Sequence, residues 1–345
     1  MPESTTSLAP IVLDANQPLD RPYRGGAGIA RFRGIAQISP YTPEDFVAST
    51  TEVFSGGGVG LTVLPSGTTL RDAVAADPLG YLGPEHLERL GASTMLLTKL
   101  LNTGERLFVH YHPDDAFAQS RLGRVQGKTE AWVVLDVEEG QEGYAALGFS
   151  RAVSEPEVEQ WFSGQDAPDM LGAMNRIPLS TGDTLLVPAG LAHAIGPGLT
   201  LVELQQPTDL SVILEYAGYN GLDPASALLG LDPETAFAGL DRRAWDAEQL
   251  AVLRTTSAPE QGVARLFPEQ ADRFFAAERI TVAGSHELEP SFSVLIVIDG
   301  AGALGHAGGS IPLTRGTTVL VPYGAGSVEL TGALSLVRAL PPRGR

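Results

Sequence analysis

A mainly β fold built from two sandwich- or barrel-like units is what this sequence predicts, and three observations predict it. Short runs rich in β-branched and apolar residues, most punctuated by Gly, Pro or Asp, recur at 106–111, 131–137, 184–188, 199–204 and 211–216, and again at 279–283, 291–298, 317–322 and 334–339. The 345 residues include 40 Gly and 25 Pro with no repeat period or low-complexity tract, which suits many tight turns. The two series also look like distant copies. TGDTLLVPAGLAH (181–193) aligns without gaps on RGTTVLVPYGAGS (315–327), with Gly182/Gly316, Pro188/Pro322 and Gly190/Gly324 in register. A second alignment, TEAWVVLD (129–136) on FSVLIVID (292–299), rests on apolar matches alone and is the weaker of the two.

Few helices are expected. Ser154 to Glu157 reads as a capping box opening a short helix through Trp161. Asp223-Pro224 and Asp232-Pro233 each place an N-cap before Pro at the first helical position, and Ala- and Leu-rich turns follow. Residues 217–257 are therefore read as a small helical insert or linker. The chain divides into a first β domain at 1–216, the insert at 217–257 and a second β domain at 258–345.

Composition narrows the function classes. There is no Cys, which excludes disulfides, thiolate metal sites and a Cys nucleophile and fits a cytoplasmic protein. The N-terminal residues lack a basic segment followed by an apolar run, so no signal peptide is expected, and no apolar stretch is long enough to span a bilayer. A formal net charge of −18 makes nucleic acid and anionic membranes poor partners. Any site for an anionic small molecule must be built locally from Lys, Arg or backbone N–H groups. Oligomeric state is not legible.

Of six histidines, two form His110-Tyr111-His112 within a strand-like run. Residues i and i+2 of a strand share a face, so two imidazoles converge on one point, as a bound metal needs. Zinc, iron or manganese accept such nitrogen and carboxylate donors. Gly104 precedes His110 by five intervening residues, and Gly182, Pro188, Gly190 and His193 form a second spaced set. These spacings resemble the two cupin motifs, which imply jelly-roll β-barrels with a metal in the barrel mouth. Two cupin-type jelly-roll barrels with a small helical insert is the resulting expectation. Pro113-Asp114-Asp115 follows the histidine pair, and the next strand-borne carboxylate is Glu130.

The longer string LLTKLLNTGERLFVHYHPDD, then GKTEAWVVLD, VPAGLAHAIG and LVELQQPTD, resembles the type I mannose-6-phosphate isomerases. The likeness extends upstream to Glu44-Asp45-Phe46-Val47-Ala48-Ser49, and more loosely over 258–345. It implies metal ligands His110, His112, Glu130 and His193, and one divalent metal, zinc first. The family has Gln where His110 stands. Three His with one Glu is also the ligand set of cupin oxygenases, so Fe, Mn, Ni or Cu stay open. The second unit has Ser327 where His193 falls and Ser293 where Glu130 falls, so no metal is expected there.

The resemblance further implies aldose–ketose isomerisation of a sugar phosphate, mannose 6-phosphate and fructose 6-phosphate first, through an enediol. That chemistry needs a Lewis acid and a base beside the carbon acid. Glu203 and Asp209 match family acidic positions. Either could be the acid/base group, and Glu203 is favoured. Lys128 is a candidate for both catalysis and substrate binding, and Ser49 and Lys99 match family positions near the sugar or its phosphate. His86, His286 and His306 lack partner spacing and read as surface residues. One departure stands out: the family Arg ten residues after Glu203 is Ile213 here, which predicts weaker mannose 6-phosphate turnover or a different sugar. A cupin oxygenase and a non-catalytic sugar-binding cupin are the competing readings.

Overall fold

The computed structural model describes residues 8–255 and 261–344. The expected boundary at 257/258 lies outside these residues, as does the start of the N-terminal stretch read for a signal peptide. The fold is mainly β and comprises three sheets whose named strand pairings are antiparallel. The first sheet runs, in order, Arg254–Thr255, Thr184–Val187, Glu130–Val137, Leu199–Gln205, Leu97–Asn102 and Glu44–Val47. The second runs Val212–Ile213, His110–Tyr111, His193–Ile195, Tyr144–Phe149 and Met174–Pro178. The third is built from the C-terminal residues with one N-terminal strand, Ile11–Val12, added on the edge through Thr318–Val321.

These sheets are open, each ending in edge strands, so closed barrels are not what forms. Two predicted strands are also shorter than the apolar run suggests. Of 106–111 only His110–Tyr111 is strand, and of 211–216 only Val212–Ile213. The Glu215 carboxylate accepts the Val109 N–H at 3.0 Å, while the N–H groups of Leu214 and Glu215 both reach the Val109 carbonyl. A side chain has entered the ladder there and ended regular pairing.

The insert carries three short helices, Pro224–Ala227, Pro233–Phe237 and Ala247–Ala251, capped by Asp223, Asp232 and Asp246. Ser154 and Glu157 form the expected capping box on Glu155–Gly164. Helices at Leu70–Ala76, Pro78–Leu82, Pro84–Leu90 and Asp115–Leu122 were not anticipated, although Thr69, Asp77 and Asp114 supply side-chain caps. No helix among the described residues is long and apolar enough to cross a membrane.

Candidate active site

His110 pairs directly with His193 across neighbouring strands, so their side chains share one face of the second sheet. His112 follows two residues later. The ring centroids lie 4.0 Å apart for His110–His193, 4.8 Å for His112–His193 and 4.9 Å for His110–His112. All three are buried. Each Nδ1 meets a backbone carbonyl: Phe108 for His110 at 3.0 Å, Leu210 for His112 at 2.8 Å and Leu191 for His193 at 2.8 Å. A carbonyl only accepts, so each Nδ1 carries the proton and each Nε2 keeps a lone pair. Three imidazoles held in that tautomer, with one ring nitrogen of each within 4.8 Å of the others, form a donor set for a metal ion.

Glu130 enters from the first sheet. Its carboxylate lies 2.9 Å from His112 Nε2 and 3.4 Å from His193 Nε2. Trp132, two residues on and therefore on the same face, donates its indole N–H to Glu130 at 3.0 Å and orients it. His193 Nε2 is buried with no hydrogen-bond partner. An orphaned lone pair facing a carboxylate is unfavourable unless a cation lies between them, so these residues fit a divalent ion. Burial, with Lys128 next, pulls His112 down to about 3, and burial with His193 holds His110 well below the usual imidazole range. Both are neutral at pH 7 without having to lose a proton to a metal.

A chain of alternating charges leads away from this centre. Lys128 Nζ lies 3.1 Å from His112 Nε2 and 2.7 Å from Glu130 Oε2. Glu203 is paired in register with Lys99 on one side and Trp132 on the other, which aims it at the same face as Glu130. Its Oε1 lies 3.8 Å from Lys128 Nζ and 3.7 Å from Lys99 Nζ and has no hydrogen-bond partner. Burial and the Glu130 charge outweigh the two lysines and push Glu203 up to about 7. Lys99, 1% exposed, then contacts Glu44 at 3.1 Å and Asp209 at 3.5 Å. Burial would neutralise Lys99, but Glu44, Asp209 and Glu203 outweigh it and hold it protonated.

Asp209 is the opposite of Glu203. Its carboxylate takes both Arg21 terminal nitrogens at 3.3 Å and the Phe54 N–H at 3.1 Å, besides Lys99. Burial opposes its ionisation, yet Arg21, Lys99 and Lys128 hold it far below the usual carboxylate range. Arg21 also bonds Glu44 through Nε, and its side chain is 17% exposed, so it closes the chain of charges at the solvent side.

The family model described as "Mannose-6-phosphate isomerase, cupin domain" matches residues 265–341. A mannose-6-phosphate isomerase of Streptococcus mutans is 38% identical over 136 residues, covering 38% of this chain and 41% of that protein. ManA, the mannose-6-phosphate isomerase of Bacillus subtilis, is 28% identical over 252 residues, 69% of this chain and 72% of its own. The crystal structure of the Bacillus subtilis mannose 6-phosphate isomerase superposes with a TM-score of 0.72 at 23% identity, covering 96% of this chain and 99% of that one. The chain is similar to the type I mannose-6-phosphate isomerases in sequence and in fold. A putative mannosephosphate isomerase from Archaeoglobus fulgidus shares the fold with a TM-score of 0.74 at 20% identity, covering 97% and 99% of the two chains. The matched segment spans about two fifths of the Streptococcus mutans protein and nearly three quarters of ManA.

The departure at Ile213 from the isomerase pattern is located by register. Ile213 pairs with His110, so its side chain stands beside that imidazole on the site face, and it is buried. A cation there would have pointed into the histidine cluster. Arg151, a candidate replacement on charge alone, lies on the surface, bonded to Glu157 at 2.5 Å and far from full burial. Ser49 is buried, but its hydroxyl donates to the Thr51 carbonyl at 2.9 Å and accepts the Thr51 N–H at 3.0 Å; it has no contact with the charged chain. His86 lies on helix Pro84–Leu90 against the Ser93 carbonyl, and His286 and His306 lie on the third sheet. Sequence reasoning missed Arg21, Tyr23 and the part played by Glu44. Only contacts across the fold bring them in, and Arg21 meets Asp209 from 188 residues away.

Proposed function

We propose that the chain is a metal-dependent aldose–ketose isomerase, with mannose 6-phosphate and fructose 6-phosphate as its first substrate pair. One observation carries this reading: Glu203, with a buried and unpartnered Oε1 poised near pH 7, stands between two lysines beside the three-histidine centre. A base for carbon acids needs a free oxygen and a tunable proton. Glu203 has both; Asp209, saturated and held ionised, has neither, so Glu203 is the group that moves the proton between C1 and C2. Lys128 and Lys99 offer N–H donors to sugar oxygens, and Lys128 also sets the charge on Glu203. Ser49 is left as a second-rank substrate contact because its hydroxyl is already spent. His110, His112, Glu130 and His193 would hold the metal, zinc first, and that ion would supply a Lewis acid for oxyanion charge developing at the carbonyl.

We read the architecture as two cupin-type jelly-roll units, 1–216 and 258–345, joined by the helical insert 217–257. The in-register Gly and Pro of the two series support it. The absence of Cys supports a cytoplasmic location. The function is tested by an aldose–ketose assay on metal-replete protein with and without chelator, run beside an oxygen electrode. Sugar-phosphate turnover that chelation abolishes supports the reading. Oxygen consumption without isomerisation would favour the oxygenase reading suggested by the three-His, one-Glu set.

Two further outcomes follow. Elemental analysis should find one divalent ion per chain. Among the described residues His110, His112 and His193 form the one group of three or more such side chains close enough to share an ion. A cavity of about 520 Å³ in the third sheet, lined by His306, Glu287, Glu329 and Ser327, has no such convergence. Two ions per chain would contradict this. Ile213→Arg should raise mannose 6-phosphate turnover by roughly tenfold or more, since one fixed donor at a developing oxyanion typically contributes two to three orders of magnitude when well placed. An unmodified protein that is already fast, and an unimproved variant, would mean that Arg21 supplies the missing charge.

A further inference from the structure

Residues 21–23 reach the charged cluster around Asp209 and Glu203 from a segment pinned at several points. The Arg21 N–H donates to the Tyr41 carbonyl at 3.2 Å, the Asn220 N–H to the Pro22 carbonyl at 2.8 Å, and the Gly104 N–H to the Arg24 carbonyl at 2.8 Å. Gly104 has a steric reason to be glycine: a Cβ there would lie 2.4 Å from the Gly25 backbone. The segment is therefore fixed against the loop that leads into the histidine strand.

Tyr23 is 3% exposed, yet its hydroxyl has no hydrogen-bond partner. The ring is well accounted for. It meets Phe108 edge-on at 6.0 Å, and Phe108 meets His110 edge-on at 5.0 Å. The hydroxyl is not accounted for: a buried phenol normally finds a partner, and one left without carries a desolvation cost that phenylalanine would avoid. Burial first, then Glu44, holds its proton on well above the ordinary range, and Glu203, Asp209 and Arg21 act on the same oxygen. It stays an O–H donor among several carboxylates, none of which it bonds.

We propose that Tyr23 is a substrate-binding residue whose hydroxyl donates a hydrogen bond to an oxygen of a polyhydroxylated, sugar-like substrate bound beside Glu203 and Arg21. The identity of the substrate rests on the isomerase reading; the contact itself does not.

The test is Tyr23→Phe in the metal-replete full chain, which keeps the ring against Phe108 and removes only the hydroxyl. Three quantities are compared with the unmodified protein: KM and kcat for mannose 6-phosphate, calorimetric Kd for mannose 6-phosphate and for mannose, and Tm. KM and Kd should rise roughly tenfold, with kcat within about twofold, because a hydrogen bond kept from ground state to transition state acts on binding alone. Tm should hold or increase, since an unpaired buried hydroxyl is gone. Unchanged KM and Kd, or a Tm lowered by several degrees together with metal loss, would overturn the contact and make the hydroxyl structural or idle. Normal isomerisation with no effect of the substitution sinks the contact alone. Sugar binding without turnover, weakened by Tyr23→Phe, sinks the isomerase reading and keeps the contact. An unmodified protein that binds neither sugar sinks both.

Discussion

Glu203→Gln should lower kcat for sugar-phosphate isomerisation by roughly three orders of magnitude, within the span typical of a lost acid/base group. Glutamine keeps the size and can still meet Lys99 and Lys128 through its amide oxygen, so metal content should equal that of the unmodified protein. The pH profile gives a second and sharper readout. Burial and Glu130 place Glu203 at about 7. A base works deprotonated, so kcat/KM should climb with pH up to and through that value and level off above it. Glutamine does not titrate, and the step should vanish from whatever activity remains. A variant retaining activity within about tenfold, with the step intact, would show that another group moves the proton. Asp209 would be a poor substitute, because Arg21, Lys99, Lys128 and the Phe54 N–H hold it ionised.

His112→Ala should remove the metal altogether. The substitution deletes one of three imidazole donors, leaves the Leu210 carbonyl without its N–H, and leaves Glu130 to its existing 2.7 Å pair with Lys128. A remnant of two imidazoles and a carboxylate already neutralised by a lysine is a poor site for any borderline cation. Elemental analysis should fall from one ion per chain to none, and isomerase activity should fall to background. The unmodified protein, stripped by chelator, should regain Tm on addition of zinc, because a ligand that binds only the folded state stabilises it by mass action. The variant should not respond. Full metal occupancy in His112→Ala would mean that the ion sits elsewhere.

How much of this was legible in the chain depends on the range of the contact. His110 and His112, two apart in a strand-like run, follow from the two-residue period of strands, so their shared face was legible in the sequence, whereas Glu203 opposite Lys99 is a cross-strand register that spacing alone does not reveal. Glu203 and Asp209, six residues apart, were both open as bases in the sequence with Glu203 favoured, and the partners each acquires in three dimensions separate them further. Arg21, Tyr23 and Glu44 carried no spacing signal, since what brings them in is a chain crossing the fold. The short helices between Leu70 and Leu90 do carry cap signals, in Thr69-x-x-Asp72, Asp77-Pro78 and Gly83-Pro84, but each run is too short to show a helical period. The truncated strands at 106–111 and 211–216 were illegible for the reverse reason: Glu215 looked like an ordinary strand-end residue until it captured the Val109 N–H.

The strand Ile11–Val12 lies on the third sheet, while the residues ten positions later reach the histidine chamber of the other two. Between them Arg33 ties the same region down, donating to the Leu13 carbonyl at 3.2 Å and to Thr318 Oγ1 at 2.9 Å, and pairing with the fully buried Asp45. The chain is thus laced, with its first described strand belonging to the sheet made by its C-terminal residues. Duplicated modules are commonly imagined as beads that can be separated at the linker. Here a cut in the linker would strip the N-terminal piece of the surface its leading strand rests on, and the C-terminal piece of an edge strand. The sheets that carry the three-histidine group therefore lean on the sheet made by the C-terminal residues, which gives that sheet a structural task whether or not it has chemistry of its own.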